Sequence, residues 1–458
     1  MNNTRIKLTN EIFNKFINPF DLNLGNYIGL ELEFPIVNLK MLKNNMEIMQ
    51  KLMQLLINKA DFKPLEFDNN GNISSIINNL NDQISFEYSI NTLEFSLAKS
   101  ESLPKIENVC INYISIIQEF LSDHNSILTG FGIHPFYQQI DKKPINNNRY
   151  KVIHHFLKKE NDLFSEFVAY TSSSQVHINT NSSNLPTIIN TFSKIEWIKA
   201  ILFSNSVMYL NKDDLFDVIC ARDFLWQNSN FSFNKNNVGV YDKKIESIED
   251  LIQDILERFM FYTVRNDQYI CFNPLPLKDY FYFSKISGVI VNNSGGRIRE
   301  VEFKPMIDDL NYFRSYKNIE LTSKGTIEFR SECQQPFSDL FSPAAFYIGL
   351  LENFNMLQNF LEKNSLINNK NIKNSYLRYL ATRNLLFNSI PKNTISNFIR
   401  EILIIAYDGV LKRNYGEEKY LYVLFERCET LESPSHNFLN LLTKGYSLVD
   451  LIKRYATF

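Results

Sequence analysis

Along four separate stretches the chain alternates apolar and polar side chains with the period of two that a β-strand imposes. In "NYIGLELEFPIV" Leu30, Leu32, Phe34 and Ile36 fall on one face, and Tyr27, Gly29, Glu31 and Glu33 on the other. In "QISFEYSINTLEFSLA" Ile84, Phe86, Tyr88 and Ile90 alternate with Ser85, Glu87 and Ser89, and then Leu93, Phe95 and Leu97 with Thr92, Glu94 and Ser96. In "SSSQVHINT" Val176 and Ile178 oppose Gln175, His177 and Asn179, and in "GTIEFRS" Ile327 and Phe329 oppose Thr326, Glu328 and Arg330. Each strand offers one apolar face to a core and one face bearing acids, His or Arg, as in an antiparallel sheet covered on one side.

Helical spacing predicts helices over 40–60, over 104–125 behind Pro104, over "NNNRYKVIHHFLKK", and a long one at roughly 186–210. "ILTGFGIHPFYQ" reads as a strand running into a Gly/Pro loop. The region of about 228–300 is the least readable, apart from a turn at "NNSGG", and from Ala344 onward the pattern is almost wholly helical. No repeat of solenoid length and no Pro/Ser/Gly linker divides the chain. These patterns predict one α+β domain over 1–458, with a sheet-bearing core at about 20–343 and a helical segment at about 344–458.

Composition narrows the class. A 458-residue chain that is 44% hydrophobic, with 38 Phe and 23 Tyr, has the material for a large core. Its net charge of -2, with acids and bases interspersed and no long basic run, argues against a nucleic-acid or membrane surface. Cys110, Cys220, Cys271, Cys333 and Cys428 are odd in number and scattered, which fits a reducing cytosol better than a disulfide framework or a thiolate zinc site. The N-terminus lacks a signal-peptide pattern and no apolar run is long enough to span a bilayer, so a soluble, cytoplasmic protein is expected.

The polar strand faces carry the chemistry. Glu31 and Glu33, two residues apart on one face, stand roughly 6.5–7 Å apart and repel. Taken singly, each strand could be an ordinary solvated face. Yet Glu31, Glu33, Glu87, Glu94 and Glu328 come from different strands with few lysines among them, and packed on one face they require cations. Clustered carboxylates with one imidazole suit Mg²⁺ or Mn²⁺, and no H-E-x-x-H is present. Arg330, on the same face as Glu328, could hold a phosphate or carboxylate bidentately. Neither a P-loop nor a complete G-x-G-x-x-G occurs, only "GFG" at Gly130–Gly132, so a nucleotide would have to be held by metal and sheet residues.

In order along about residues 25–430, "GLELEF", "ISFEYSINTLEFS", "GFGIHPF", Arg149–Tyr150, "SSQVHIN", "ARDFLW", "GTIEFR…QQP" and "AYDGVLKRNYGEEKYLYVLFER" resemble the glutamate–cysteine ligase family of the plant and actinobacterial type, together with the related bacterial carboxylate–amine ligases. The resemblance implies a glutamine-synthetase-like fold: a curved antiparallel sheet with helices on its convex face and substrates on its concave face. It implies ATP as co-substrate, Mg²⁺ or Mn²⁺ as cofactor, and glutamate and cysteine or another amine as small-molecule substrates, with no nucleic-acid or membrane partner. Carried over by position, Glu31, Glu33, Glu87, Glu94, His177 and Glu328 are the metal shell, and Arg330 with Glu328 act at the transferring phosphate. Arg222 grips a substrate carboxylate, Arg149 is a second anion contact, and Gln175, Asn179 and Lys324 are the nucleotide contacts.

Other readings stay open for several of these side chains. Arg222 could pair with Asp223; His134, restricted by Pro135, could only shape its loop; His154 and His155 could be structural; Cys333 could be an ordinary partly buried thiol. The sequence also departs from the family pattern. "EYSINTLE" lacks a Pro-Gly-Gly, Ile133 precedes "HPF" where Thr is usual, and Cys333 stands where Asp is common. These departures leave the acceptor amine open between cysteine and another amine joined by the same mechanism.

Overall fold

A computed structural model describes residues 2–22, 25–158, 162–209, 218–291, 299–366 and 372–458. In chain order the strands are β1 (Ile28–Asn38), β2 (Lys63–Phe67), β3 (Ile73–Ile77), β4 (Gln83–Phe86), β5 (Thr92–Ser100), β6 (Ser126–Leu128), β7 (Ser173–Ile178), β8 (Val238–Gly239), β9 (Phe259–Arg265), β10 (Gln268–Pro276), β11 (Ile286–Ile290), β12 (Arg299–Phe303), β13 (Tyr316–Lys317), β14 (Ile319–Leu321) and β15 (Ile327–Cys333). Nine of them form one sheet in the order β14-β15-β7-β1-β5-β4-β3-β2, with β6 added to β1. Every pairing within it is antiparallel.

The alternation read from sequence sets which face is covered. Leu30, Leu32, Phe34, Phe95, Val176 and Phe329 are buried in one continuous core. Against this face pack the helices Met46–Lys59, Leu103–Ser122, Glu196–Phe203 and Ser342–Glu352. Burying such side chains contributes on the order of 1.5–3 kcal/mol each, so a one-residue slip that exposed this face would be prohibitive. The helix Ser342–Glu352 is in turn crossed by Lys392–Arg413. A Cβ at Gly349 or Gly409 would fall on backbone atoms of the opposite helix, so the crossing admits only glycine at both positions.

Two helical expectations are corrected. The helix expected over 40–60 begins only at Met46, because the Asn45 side chain accepts from the Glu47 N–H (2.7 Å) and caps it. The long helix expected at 186–210 is two, Leu185–Lys194 and Glu196–Phe203, broken at Ile195, and its last residue lies outside the described ones. The helix expected over 104–125 runs Leu103–Ser122. The poorly readable region contains a second antiparallel sheet, β12-β11-β10-β9. Its first hairpin turns through Asn266 and Asp267, both at positive φ (48° and 59°), the two-residue turn that Asn and Asp tolerate best. The "NNSGG" turn lies outside the described residues. Among the described residues no helix is long and apolar enough to cross a membrane.

Candidate active site

Strand register places the polar side chains of the large sheet in rows. One row runs Glu320 (β14), Glu328 (β15), His177 (β7), Gly29 (β1). The next runs Gln175, Glu31, Ser96, Gln83, and a third runs Glu33, Glu94, Ser85, Ser75, Glu66. Opposite His177 a Cβ at position 29 would stand 3.2 Å from the His177 Cβ, so glycine there leaves the imidazole its place. Between Phe329 and Glu332 the register of β15 on β7 shifts by one residue. This bulge falls on Arg330 and Ser331, and bulges re-aim side chains beside active sites.

The rows floor a cavity of about 540 Å³. Glu31, Glu33, Glu87, Glu94, Glu328, Gln175, Arg149, Arg222 and Arg330 all line it. His177 stands beside it, within reach of Glu31 and Glu328. Asn179 and Lys324 do not line the cavity: Asn179 follows the end of β7, and Lys324 is exposed in the β14–β15 turn. Lys324 still acts on Glu31 and His177 through its charge.

The six residues expected as one metal shell fall into two groups. Among the described residues only Glu31, His177 and Glu328 bring one ligand atom each to within 4.8 Å of one another. His177 Nδ1 is 3.2 Å from Thr326 Oγ1, which is itself 2.7 Å from Thr322 Oγ1. His177 Nε2 is buried, lies 3.4 Å from Glu31 Oε1 and makes no well-aligned hydrogen bond. An imidazole anchored through one nitrogen, with the other aimed at two carboxylates, is the arrangement of a metal-ligating histidine. Oxygen donors with one nitrogen fit a hard divalent cation.

The second group is held by protein contacts. Glu33 Oε2 accepts from the Ser173 N–H (2.6 Å) and Glu33 Oε1 from Gln175 Nε2 (2.9 Å), so Gln175, expected at the nucleotide, is engaged by Glu33. Glu94 faces Glu33 across the ladder, and Glu87 Oε2 accepts from the Tyr150 hydroxyl at 3.4 Å.

Electrostatics separates the groups. Burial pushes the Glu31 carboxyl up, but His177, Lys324 and Arg330 outweigh it and its pKa falls to about 2. Burial, then the neighbouring Glu87, raises Glu33 to about 7 against Arg222 and the Ser173 contact. Burial, then Glu87 and Glu31, holds Glu94 well above the usual carboxylate range. Burial also raises Glu328 despite Arg330 and His177. The site thus crowds more negative charge than its own cations neutralise.

The arginines face this charge. Arg330 Nε is 3.4 Å from Glu328 Oε1, and the guanidinium lies 5.7 Å from the Tyr316 ring centre. Arg222 does not pair with Asp223, whose carboxylate is taken by Arg378. Its guanidinium has no hydrogen bond or ion pair among the described residues, so it stands ready for an anion at the cavity wall. Arg149 lies 5.8 Å from the Tyr150 ring centre at the cavity rim.

His134, His154 and Cys333 make their contacts outside the triad. Buried His134 accepts from the Phe136 N–H at Nδ1 (3.1 Å) and donates from Nε2 to the Ile36 carbonyl (3.1 Å), fixing the loop to β1. His154 Nδ1 meets the Tyr88 hydroxyl (2.8 Å). Cys333, expected to be partly buried, is 1% exposed and packs 3.7 Å from Cys220 Sγ, outside the cavity lining.

Sequence reading missed Thr326 as the support of His177, Ser173 as a donor to Glu33, and an aromatic wall of Tyr150, Tyr269, Tyr316, Trp226 and Phe231. Tyr269 could have been found from the Asn266–Asp267 hairpin signal. Tyr316 lies in a two-residue strand, which leaves no period to detect.

No family model matches the chain. It is 21% identical to the chloroplastic glutamate–cysteine ligase of Brassica juncea over 328 residues, and 21% identical to that of Medicago truncatula over 319 residues. Each match covers 68% of this chain and only 58% of the plant protein. The crystal structure of glutamate–cysteine ligase from Francisella tularensis in complex with AMP superposes with a TM-score of 0.52 at 12% identity, covering 95% of this chain and 88% of that one. The last comparison bears on fold, and it matches mixed α/β architecture built on antiparallel sheet. The chain is thus similar in sequence to plant glutamate–cysteine ligases, over part of their length, and similar in fold to the bacterial one.

Proposed function

We propose that this protein is an ATP-dependent carboxylate–amine ligase that joins the γ-carboxylate of glutamate to an amine, with cysteine as the expected acceptor. In this reading residues 1–458 form one cytoplasmic catalytic domain with a glutamine-synthetase-like curved sheet, helices on its convex side and substrates on the concave one. One observation carries it: Glu31, His177 and Glu328, whose potential ligand atoms lie within 4.8 Å of one another, stand at or beside the same acid-lined cavity that Arg222 and Arg330 line. The similarity to the plant ligases makes glutamate the natural carboxylate.

Two displacements compose the reaction. A γ-carboxylate oxygen attacks the terminal phosphorus of ATP, the bond to the β-phosphate oxygen breaks, and ADP leaves. The amine nitrogen then attacks the acyl carbon, the carbon–oxygen bond to phosphate breaks, and the nitrogen loses a proton. Both steps gather anions, so the site must supply positive charge in fixed positions. Mg²⁺ or Mn²⁺, when bound, supplies charge neutralisation at phosphate oxygens. Glu31, His177 and Glu328 would hold one such ion, and Glu33, Glu87 and Glu94 offer oxygens for another. Arg330 faces the transferring phosphate from beside Glu328, while Arg222 grips a glutamate carboxylate. The backbone and Gln175 hold Glu33 in place.

The experiment is ADP release in the presence of Mg²⁺, glutamate and a panel of amines that includes cysteine. Glutamate-dependent turnover with cysteine supports the reading in full. Turnover with another amine alone keeps the mechanism and moves the protein to a different acceptor. Absence of glutamate-dependent ADP release with every amine overturns it.

A further inference from the structure

Arg378 sits on the helix Asn374–Thr382, in the C-terminal helical segment, and is 1% exposed. It does not line the cavity, yet its contacts lead there. Nε donates to Asp223 Oδ2 (2.5 Å), and Nη2 donates to Asp223 Oδ1 (3.0 Å) and the Ser331 carbonyl (3.3 Å). Nη1 donates to the Glu196 carbonyl (2.6 Å) and to Glu196 Oε2 (3.1 Å). A guanidinium has five N–H donors, and these five contacts can use them all.

The identities of the acceptors matter. Asp223 follows Arg222, and Ser331 follows Arg330. One buried cation therefore ties together the two segments that carry the candidate anion-binding arginines, the helix Ala221–Asn228 and the bulge of β15. Further contacts close the frame. The Thr382 carbonyl, at the end of the Arg378 helix, accepts from Ile219 N (2.9 Å) and Cys220 N (3.3 Å), just before the Arg222 helix. Asn318 Nδ2 donates to Glu196 Oε2 (2.8 Å), while the Asn318 carbonyl accepts from the Arg330 N–H (3.1 Å). Lys199 pairs with Glu196 and, at 3.1 Å, with Glu332. A buried ionic network of this kind is weak evidence for stability, but it admits few geometries.

We infer that Arg378 is a positioning residue, which sets the spacing of Arg222 and Arg330 at the cavity wall and hence of the two anionic groups that the site grips. The inference rests on the ligase reading for its substrate, glutamate, and on the geometry alone for its mechanical content.

The test uses Arg378→Lys and Asp223→Asn in the full chain. An ammonium keeps the charge but cannot span Asp223, Glu196 and Ser331 at once, and the amide keeps the shape of Asp223 without its charge. Arg400→Lys, at an exposed ion pair with Glu429, is the control. Both site variants are expected to raise the glutamate KM at least tenfold, with Kd for Mg·ATP within threefold of wild type. Amide hydrogen exchange should quicken over 221–228 and 327–333 but not over β9 and β10, and the control should match wild type. Wild-type kinetics within twofold together with unaltered exchange would overturn the inference. So would a parallel loss of every property, unfolding of both variants included, since Arg378 would then hold up the fold and nothing more. If the wild-type protein shows no glutamate-dependent turnover, the ligase reading fails, and local exchange alone then decides for or against positioning.

Discussion

Glu33 gives a quantitative test of the crowded-charge account. Its carboxyl is 9% exposed, faces Glu94 across the ladder, and is raised by burial and by Glu87 from 4.5 to about 7. A carboxyl with a raised folded pKa binds its proton more tightly folded than unfolded. Its contribution is therefore fully present below pH 4.5 and is lost as pH rises through about 7. At 1.36 kcal/mol per pH unit, the interval corresponds to about 3 kcal/mol. For a chain of this length, with an unfolding entropy near 2.1 cal/mol/K per residue, that is a fall of roughly 3 °C in Tm. The perturbation is Glu33→Gln, which removes the titration; the readout is the change in Tm between pH 5 and pH 8 in EDTA. Wild type should lose roughly 3 °C more than the variant over this range, whatever the absolute stabilities, and Mg²⁺ at pH 8 should restore part of the wild-type loss. Equal pH slopes in the two proteins, without metal, would refute the reasoning, because Glu33 would then titrate as an ordinary surface acid.

Further predictions concern the same face. Glu328→Gln and Arg330→Ala should each lower glutamate-dependent ADP release by about 10²-fold or more, the scale of a lost transition-state contact, and near-wild-type turnover in both would remove the site from the sheet. Thr326→Val takes away the hydrogen-bond partner of His177 and should weaken Mn²⁺ binding about 10–100-fold, read by titration calorimetry, with Tm little changed. Arg222→Ala should raise the glutamate KM more than that of ATP in steady-state kinetics. His134→Ala leaves the buried Phe136 N–H without its partner and the Ile36 carbonyl with only the Asn44 amide, and should cost about 1–3 kcal/mol in chemical denaturation while the glutamate KM stays within twofold.

Much of this site was legible in the alternation of single strands, because the period of two assigns each side chain a face without any knowledge of partners. That is why Glu31, Glu33, Glu94, His177, Glu328 and Arg330 could be grouped before the strands were paired. What alternation does not contain is register. The direct opposition of Glu33 and Glu94, and of His177 and Glu328, follows from long-range pairing, as does the separation of six expected ligands into two groups. The bulge at Arg330 leaves no local mark, since neither Arg330 nor Ser331 is a residue that demands one. The break at Ile195 was equally hidden, as no Gly or Pro announces it. Asn179 and Lys324, expected at the nucleotide, lie outside the cavity lining, one past its strand and one in a turn. The frame around Arg378 joins residues 47 to 182 positions away from it, which no sequence window covers.

The central claim is that the polar face of the large sheet is where a divalent cation and the nucleotide meet. Crystals grown with Mn²⁺, glutamate and a non-hydrolysable ATP analogue, measured near the manganese absorption edge, test it most directly. The account predicts an anomalous peak between Glu31, His177 and Glu328, with analogue phosphate oxygens beside Arg330. Clear analogue density elsewhere on the protein, with no anomalous peak at the triad, would contradict it.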